Sequence, residues 1–174
     1  MDSIPLKVLI VDPTPHTSAR LSQVLRSEQT VISASVLGSL DAAHASVNEQ
    51  DLNAVYIDPL LLGIAATDEF IKGIRREKPE VVYVLYISFS SLGNRSQSFI
   101  FGNHPFGHYF KLDKDTPDEF FVAAVRRSIA GCQSDLSLDL TRAKIESLQE
   151  ELRSLRRTSS AESMSIPLAT VVSG

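Results

Sequence analysis

Short apolar runs alternate with segments of helical period along the first three quarters of the chain. The runs are rich in β-branched and aromatic residues, as strands are, and each is about as long as an average strand. They occupy residues 7–11, 30–36, 53–58, 81–88 and 107–112. The pattern therefore predicts five β-strands.

Between these strands, apolar side chains recur three and four residues apart, which is the period of an amphipathic helix. Three such sets are Ala19, Leu21, Val24 and Leu25; Leu40, Ala43, Ala45 and Val47; and Phe70, Ile71 and Ile74. Further helices are predicted within 94–103 and from Pro117 to a stop at Gly131. The inward face of the last one is predicted to consist of Phe120, Phe121, Ala124, Val125 and Ile129. Because repeated strand–helix units need right-handed crossovers, the predicted class is α/β, with a parallel, doubly wound sheet covered by helices on both faces.

The ends of the predicted strands carry the candidate chemistry, because ligands of such sheets bind beyond the carboxyl ends of the strands. Four strands end on Asp12, Asp58, Ser88 and Lys111. Taken alone, an aspartate before Pro13 is commonly a turn cap, and a serine after a strand is usually a loop residue. Two acids, a hydroxyl and an amine at one edge together indicate a site.

Composition narrows the function classes. The chain of 174 residues is 43% hydrophobic and 22% charged, which fits one globular domain with an extension. A net charge of -4 gives no general electrostatic reason to bind nucleic acid. Cys132 is the single cysteine, and no apolar stretch is long enough to span a bilayer. We therefore expect a cytoplasmic protein, with no membrane contact and no direct nucleic-acid contact from this segment.

Five segments combine strand ends and turn residues in a particular order: KVLIVD at 7–12, AVYID at 54–58, VLYIS at 84–88, GHYFK at 107–111 and DTPDEFF at 115–121. In that order and at that spacing, residues 5–131 resemble the receiver domain of two-component response regulators. The resemblance implies a flavodoxin-like sheet of five parallel strands in the order 2-1-3-4-5. It also implies a signalling module and not an enzyme.

The resemblance implies a role for each residue at the sheet edge. Asp58 would accept a phosphoryl group from a histidine kinase, Ser88 would bond the new phosphoryl oxygen, and Lys111 would pair with it. His108 would be the switch residue of the fifth strand, or simply a polar residue at the rim. The ligands implied for Mg²⁺ are Asp12, Asp58 and the backbone carbonyl of Leu60. These residue types suit the chemistry, because a cation and an amine offset the charge of an in-line phosphoryl transfer to a carboxylate.

Several positions depart from the family's usual pattern. Pro13 stands where a second, metal-binding acid is usual, and Pro59 directly follows Asp58. Lys114 offers a second alignment for the phosphate-pairing lysine, although the strand-like residues before Lys111 favour the first. The remaining departures are Leu62 and Leu112 in place of prolines and Phe89 in place of a small residue. We therefore expect weak or absent Mg²⁺ binding and impaired phosphoryl transfer.

Two alternatives stay open. The first is a pseudo-receiver that acts as a dimerisation or regulatory surface without phosphorylation. The second, more remote, is a flavodoxin-like cofactor-binding protein, which would use the same edge of the same sheet. Its first loop should present glycine to a phosphate, whereas residues 13–18 contain hydroxyls but no glycine and Asp12 would repel an anion.

Residues 134–157 repeat apolar side chains at alternating spacings of three and four, which are the a and d positions of a heptad. These positions are Leu138, Thr141, Ile145, Leu148, Leu152 and Leu155. The pattern predicts an extended C-terminal coiled-coil helix and a homodimer; the alternative is a helix that folds back on its own domain. Residues 158–174 are predicted to be a flexible tail, or a linker to an absent output domain of the kind found in transcription regulators.

Overall fold

The computed structural model describes residues 4–87, 108–111 and 116–163, apart from the side chains of residues 87, 109–111 and 158–163. The predicted helix within 94–103 lies outside the described residues. Contacts divide the chain into two compact units, Met1–Ser137 and Leu138–Gly174. The predicted domain boundaries stay predictions.

The first unit is built on a sheet of five parallel strands. They are β1 (Leu6–Val11), β2 (Val31–Leu37), β3 (Ala54–Ile57), β4 (Val82–Ile87) and β5 (His108–Lys111). Their hydrogen-bonded order is β2-β1-β3-β4-β5, and every neighbouring pair is parallel. The predicted α/β class with a parallel sheet is confirmed, and the observed order is the one that the resemblance implied.

Five helices belong to the described part of the chain. They are α1 (Pro15–Ser27), α2 (Leu40–Glu49), α3 (Pro59–Leu62), α4 (Ile64–Glu77) and α5 (Asp118–Ser163). Ser39 caps α2, because its hydroxyl accepts a hydrogen bond from the backbone N–H of Ala42. Gly63 joins α3 to α4 with a φ of 92°, a conformation that L side chains rarely adopt.

Alternating strand residues bury their side chains on opposite faces of the sheet, so two hydrophobic clusters form. One cluster joins the sheet to α1 and α5 and includes Leu6, Val8, Ile10, Leu21, Leu25, Tyr56, Tyr86, Phe121 and Val125. The other joins the sheet to α2 and α4 and includes Leu9, Val11, Val47, Val55, Ile57, Ile71 and Ile74. This arrangement explains why β1 is apolar at nearly every position, since both of its faces are covered.

The predicted helix stop at Gly131 is wrong, because α5 runs without interruption from Asp118 to Ser163. Gly131 has a different role. A Cβ atom at this position would lie 2.4 Å from Cε1 of the His108 ring, far inside van der Waals contact. The glycine therefore allows β5 to approach α5 closely. The prediction that Phe120 faces inward is wrong as well, because 63% of its side chain is exposed.

Within the residues that the structure describes, no helix is long and apolar enough to cross a membrane. The described part of the second unit is the helical stretch from Leu138 to Ser163. Its side chains are exposed as far as Arg157.

Candidate functional site

Asp12 and Asp58 lie side by side at the carboxyl edge of the sheet. Each directly follows a strand, and the last paired residues of those strands are Val11 and Ile57. Both carboxylates are buried, with exposures of 3% for Asp12 and 0% for Asp58. The structure therefore brings together the two acids that the strand ends predicted.

Asp58 is the N-cap of α3. Its Oδ1 accepts hydrogen bonds from the backbone N–H groups of Leu60, at 2.9 Å, and Leu61, at 3.3 Å. Pro59 occupies the first helical turn, where the missing N–H costs no intrahelical hydrogen bond. Asp58 and Pro59 together therefore begin the short helix α3, with the buried carboxylate as its cap.

Asp12 is held by two donors, one on each oxygen. Its Oδ1 accepts from the backbone N–H of Thr14 at 2.6 Å, and its Oδ2 accepts from the hydroxyl of Tyr86 at 2.6 Å. The first bond fixes the turn that leads into α1. The second crosses the sheet from β4 and ties the carboxylate to the core.

Tyr86 is a site residue that the sequence reasoning missed. Burial raises the pKa of its phenol far above the ordinary range, and the nearby carboxylates of Asp12 and Asp58 raise it further. The hydroxyl is therefore a proton donor at any physiological pH, and it lies within the field of both acids. The signal that could have revealed it is strand register, because β3 and β4 pair Ile57 with Leu85, and Tyr86 is one residue further along.

The hydrogen bonds of Asp12 and Asp58 take up part of the coordinating capacity that a magnesium ion would need. Mg²⁺ needs an octahedral shell of oxygen ligands, usually one or two carboxylates with waters or phosphate. Both oxygens of Asp12 already accept hydrogen bonds, and Oδ1 of Asp58 accepts two. Leu60 contributes its N–H to Asp58. Among the residues described, no three His, Cys, Asp or Glu side chains group into a candidate metal site.

Of the other predicted partners of Asp58, Lys111 is described only by its backbone and Ser88 lies outside the described residues. Lys111 ends β5 and pairs with Ile87, so its backbone is at the expected edge of the sheet. Ser88 lies outside the described residues, as do Phe89, Leu112 and Lys114. The phosphoryl-binding roles of Ser88 and Lys111 stay predictions.

His108 lies at the beginning of β5, three residues before the edge where Lys111 ends the strand. It pairs with Val84, and its Nε2 lies 2.9 Å from Oδ2 of Asp135 in α5. The ring also packs against Gly131. The structure thus brings His108 to α5 and not to Asp58, and the predicted switch role stays a prediction.

The residues predicted to mediate dimerisation form one exposed stripe in the second unit. Between 49% and 57% of each side chain is accessible for Leu138, Ile145, Leu148, Leu152 and Leu155. Ion pairs flank the stripe, with Arg142 bonded to Asp139 and Arg153 to Glu150. The described helix therefore has the narrow apolar stripe and charged margins of a coiled-coil strand.

No protein-family model matches the chain, and no curated protein matches it. Several solved structures are similar to the chain. The beryllofluoride-activated NtrC4 receiver domain dimer is 18% identical, with a TM-score of 0.55, over 72% of this chain and 98% of that one. The response regulator domain of Thermotoga maritima CheB is 15% identical, with a TM-score of 0.52, over 72% and 97%.

The isolated REC domain of RcsB from Salmonella enterica serovar Typhimurium, in the presence of the phosphomimetic BeF3-, is 14% identical, with a TM-score of 0.55. The match covers 76% of this chain and 96% of that one. At such identities the likeness concerns the fold. Together with the strand order and the two acids at the sheet edge, it shows that this chain has the fold of a response-regulator receiver domain.

Proposed function

We propose that the chain is a receiver-type signalling module that self-associates through the C-terminal part of α5 and has an impaired phosphorylation site at Asp58. The observation that carries the impairment is the double hydrogen bonding of Asp12 by Thr14 and Tyr86. In this proposal Asp58 is the phospho-acceptor for a histidine kinase, and Ser88 and Lys111 are its phosphoryl partners.

The geometry of Asp58 supports slow phosphoryl transfer. A carboxylate oxygen must approach phosphorus in line, and the developing charge must be offset by a cation and donors. The side chain of Asp58 is fully buried and caps α3 through Leu60 and Leu61. Attack on phosphorus through Oδ1 therefore requires the start of α3 to open, and the hydrogen bonds that Asp12 accepts would weaken its hold on a cation.

The test is incubation of the purified chain with Mg²⁺ and acetyl phosphate or beryllofluoride, followed by intact-mass measurement. We expect substoichiometric modification that grows over hours, and Asp58→Ala should remove it. The matched control is Asp51→Ala, because Asp51 is an exposed acid bonded to Lys7 and away from the sheet edge.

Two results would change the proposal. Rapid stoichiometric modification of Asp58 at millimolar donor would contradict the impairment. No modification after prolonged incubation would favour a phosphorylation-independent pseudo-receiver, a function that the occupied Asp12 carboxylate also supports.

Self-association is supported by the exposed stripe on α5. Leu148 and Leu152 are 50% and 56% exposed, and they alternate with charged residues along two turns. In a two-stranded coil these side chains would enter holes on the facing helix, and burial of each apolar side chain contributes about 1.5–3 kcal/mol when complete. The proposed partner is a second copy of this chain, in a dimer that regulates an output domain or partner.

Light scattering with in-line chromatography tests this part. The native chain should have the mass of two copies, and Leu148→Glu with Leu152→Glu should halve it. The control is Ser147→Glu with Ser154→Glu, which adds the same charge to the same turns outside the a and d positions. An unchanged mass for the leucine variant would contradict dimerisation through α5.

A further inference from the structure

The second half of α5 carries two charged side chains whose spacing gives them no ionic neighbour within the helix. Ion pairs within a helix join residues three or four apart, as Arg153 and Glu150 do here. No basic residue lies three or four positions from Glu151, and no acidic residue lies at those distances from Arg156. Both side chains are exposed. Their charges are therefore available to a second chain.

These two residues border the exposed apolar stripe on opposite sides. In the heptad whose first a and d positions are Leu138 and Thr141, Glu151 occupies a g position and Arg156 the e position five residues later. Residues at e and g line the seam of a coiled coil, and in a parallel, in-register pair each g residue faces the e residue five positions along the other chain. Glu151 of one copy would therefore meet Arg156 of the other. The contact would occur twice, because the two copies of a symmetric dimer are equivalent.

The preceding g and e residues agree with this orientation. Lys144 would face Gln149, whose amide oxygen can accept a hydrogen bond from the ammonium group. An antiparallel pair that overlaps the whole stripe would instead set Glu151 against Lys144 and carry Arg156 past the beginning of the stripe at Leu138. The parallel pair is therefore the one that uses both charges within the stripe.

We propose that Glu151 and Arg156 set the orientation and the partner choice of the coil, and that the partner is a second copy of this chain in a parallel, in-register dimer. The inference rests on the proposed self-association and deepens it, because it names the contacts that select the partner. Ile145 at an a position and Leu148 at a d position agree with it, since a β-branched a residue with a leucine d residue favours two strands in parallel coils. In such a dimer the segments that follow Leu155 start at the same end of the coil, so the C-terminal segment of each copy is brought to its counterpart.

Charge reversal in two separate variants tests the contact. Glu151→Lys and Arg156→Glu each place like charges opposite one another in their own dimers, whereas the mixed dimer of the two variants has two attractive pairs. We expect each variant alone to have a dimer dissociation constant about tenfold higher than the native chain at low salt, as reversal of two exposed ion pairs predicts. The equimolar mixture should recover the native dissociation constant, and the difference should shrink at high salt. Analytical ultracentrifugation across a dilution series measures these constants.

The matched control is a mixture of Glu150→Lys and Arg153→Glu. These residues form an ion pair within one helix, at positions outside e and g, so a second chain cannot restore it. We expect this mixture to show no preference for the mixed dimer.

Oxidative cross-linking of the full chain carrying Leu155→Cys measures the orientation independently. In the parallel dimer the two introduced thiols lie side by side at the seam. In the antiparallel pair each would lie opposite Leu138, and the helical rise would separate the two thiols by roughly 25 Å. The native chain under the same oxidant is the control, because its single cysteine, Cys132, is fully buried. We expect a covalent dimer from Leu155→Cys and none from the native chain.

Two results would overturn the inference and leave self-association intact. One is a dimeric native chain whose charge variants show no preference for the mixed dimer. The other is a dimeric Leu155→Cys sample that does not cross-link. A native chain with the mass of one copy would instead contradict the proposed self-association, and the inference with it. The acetyl phosphate test is independent of all these results, because it measures the modification of Asp58.

Discussion

The two halves of α5 carry similar apolar periodicity in opposite surroundings. In the first half, apolar side chains recur every three or four residues and are buried, at Phe121, Val125, Ile129, Cys132 and Leu136. In the second half, the same spacing continues from Leu138 to Leu155, and about half of each apolar side chain is exposed. One helix thus contains a stripe that is covered and a stripe that is open.

Helical period therefore identifies the apolar face of a helix that needs to be buried. It does not identify the element or chain that buries it. The first stripe lies in the core cluster with β-strand residues and α1. The second lies in a separate compact unit, flanked by ion pairs. Charged residues flank both stripes, but they are denser along the second stripe than along the first.

The largest effect should come from Phe121→Ala in the covered stripe. The Phe121 ring is 1% exposed and the guanidinium of Arg20 lies 4.0 Å from its centroid, so truncation leaves a cavity and removes a cation–π contact. We expect a loss of about 3–5 kcal/mol in the free energy of unfolding. Urea unfolding followed by tyrosine fluorescence measures it, because the chain lacks tryptophan and all four tyrosines precede Leu138.

Leu148→Ala is the matched truncation in the open stripe. It should change the same tyrosine-detected free energy by no more than about 0.5 kcal/mol, because Leu148 lies in the second unit and all the tyrosines lie in the first. Equal losses for Phe121→Ala and Leu148→Ala would remove the distinction between the two stripes.

The next largest effect should come from alkaline pH. The first unit contains one thiol and three phenols whose pKa values burial raises above their ordinary values. Burial raises the pKa of the Cys132 thiol from 9.0 to about 12, and burial also raises the pKa values of Tyr56, Tyr83 and Tyr86. The folded state therefore keeps protons that the unfolded state releases above pH 9.0. The stabilisation is complete below that pH and is lost as pH rises towards about 12.

Urea midpoints across this pH range measure the loss. Cys132→Ala should make the decline shallower, because one of the contributing groups is gone. A free energy of unfolding that stays constant up to pH 12 would contradict the burial of these groups.

Of the three changes within the first unit, Gly131→Ala should have the smallest effect, and its sign separates helix propensity from packing. In an open helix, alanine would stabilise by about 0.8–1.0 kcal/mol relative to glycine. Here the new methyl group would collide with the His108 ring, and we expect a net loss of about 1–3 kcal/mol. In a His108→Ala background, the same substitution should become stabilising. Stabilisation by Gly131→Ala alone would show that the ring does not rest on the glycine.

Much of the fold could be predicted from the sequence because parallel strands buried on both faces are continuous apolar runs, as in β1. The helix stop was wrong because glycine has two common uses in a helix, to end it or to allow a close approach. Only the tertiary position of His108 decides between them at Gly131. The short α3 was missed because its start depends on the cap by Asp58 and not on apolar period.

The candidate site, like the fold, could be predicted only in part from the sequence. Asp12 and Asp58 could be predicted, because acids that follow parallel strands meet at one edge. Tyr86 could not, because a tyrosine inside an apolar run looks like core, and in fact its ring is core. Its second role depends on which oxygen its hydroxyl reaches, and that follows from strand register and ring packing, not from residue type.

The central position of β1 has a consequence for biosynthesis. β1 leaves the ribosome before β2 and β3, but Val8 pairs with Ala34 of β2 on one side and with Ala54 of β3 on the other. A nascent chain that ends before Ala54 therefore carries an apolar strand with an unpaired edge, the kind of segment that aggregates or recruits chaperones. We expect folding to become productive only when β3 has emerged, so the rate of translation through the α1–α2 region sets how long β1 needs protection.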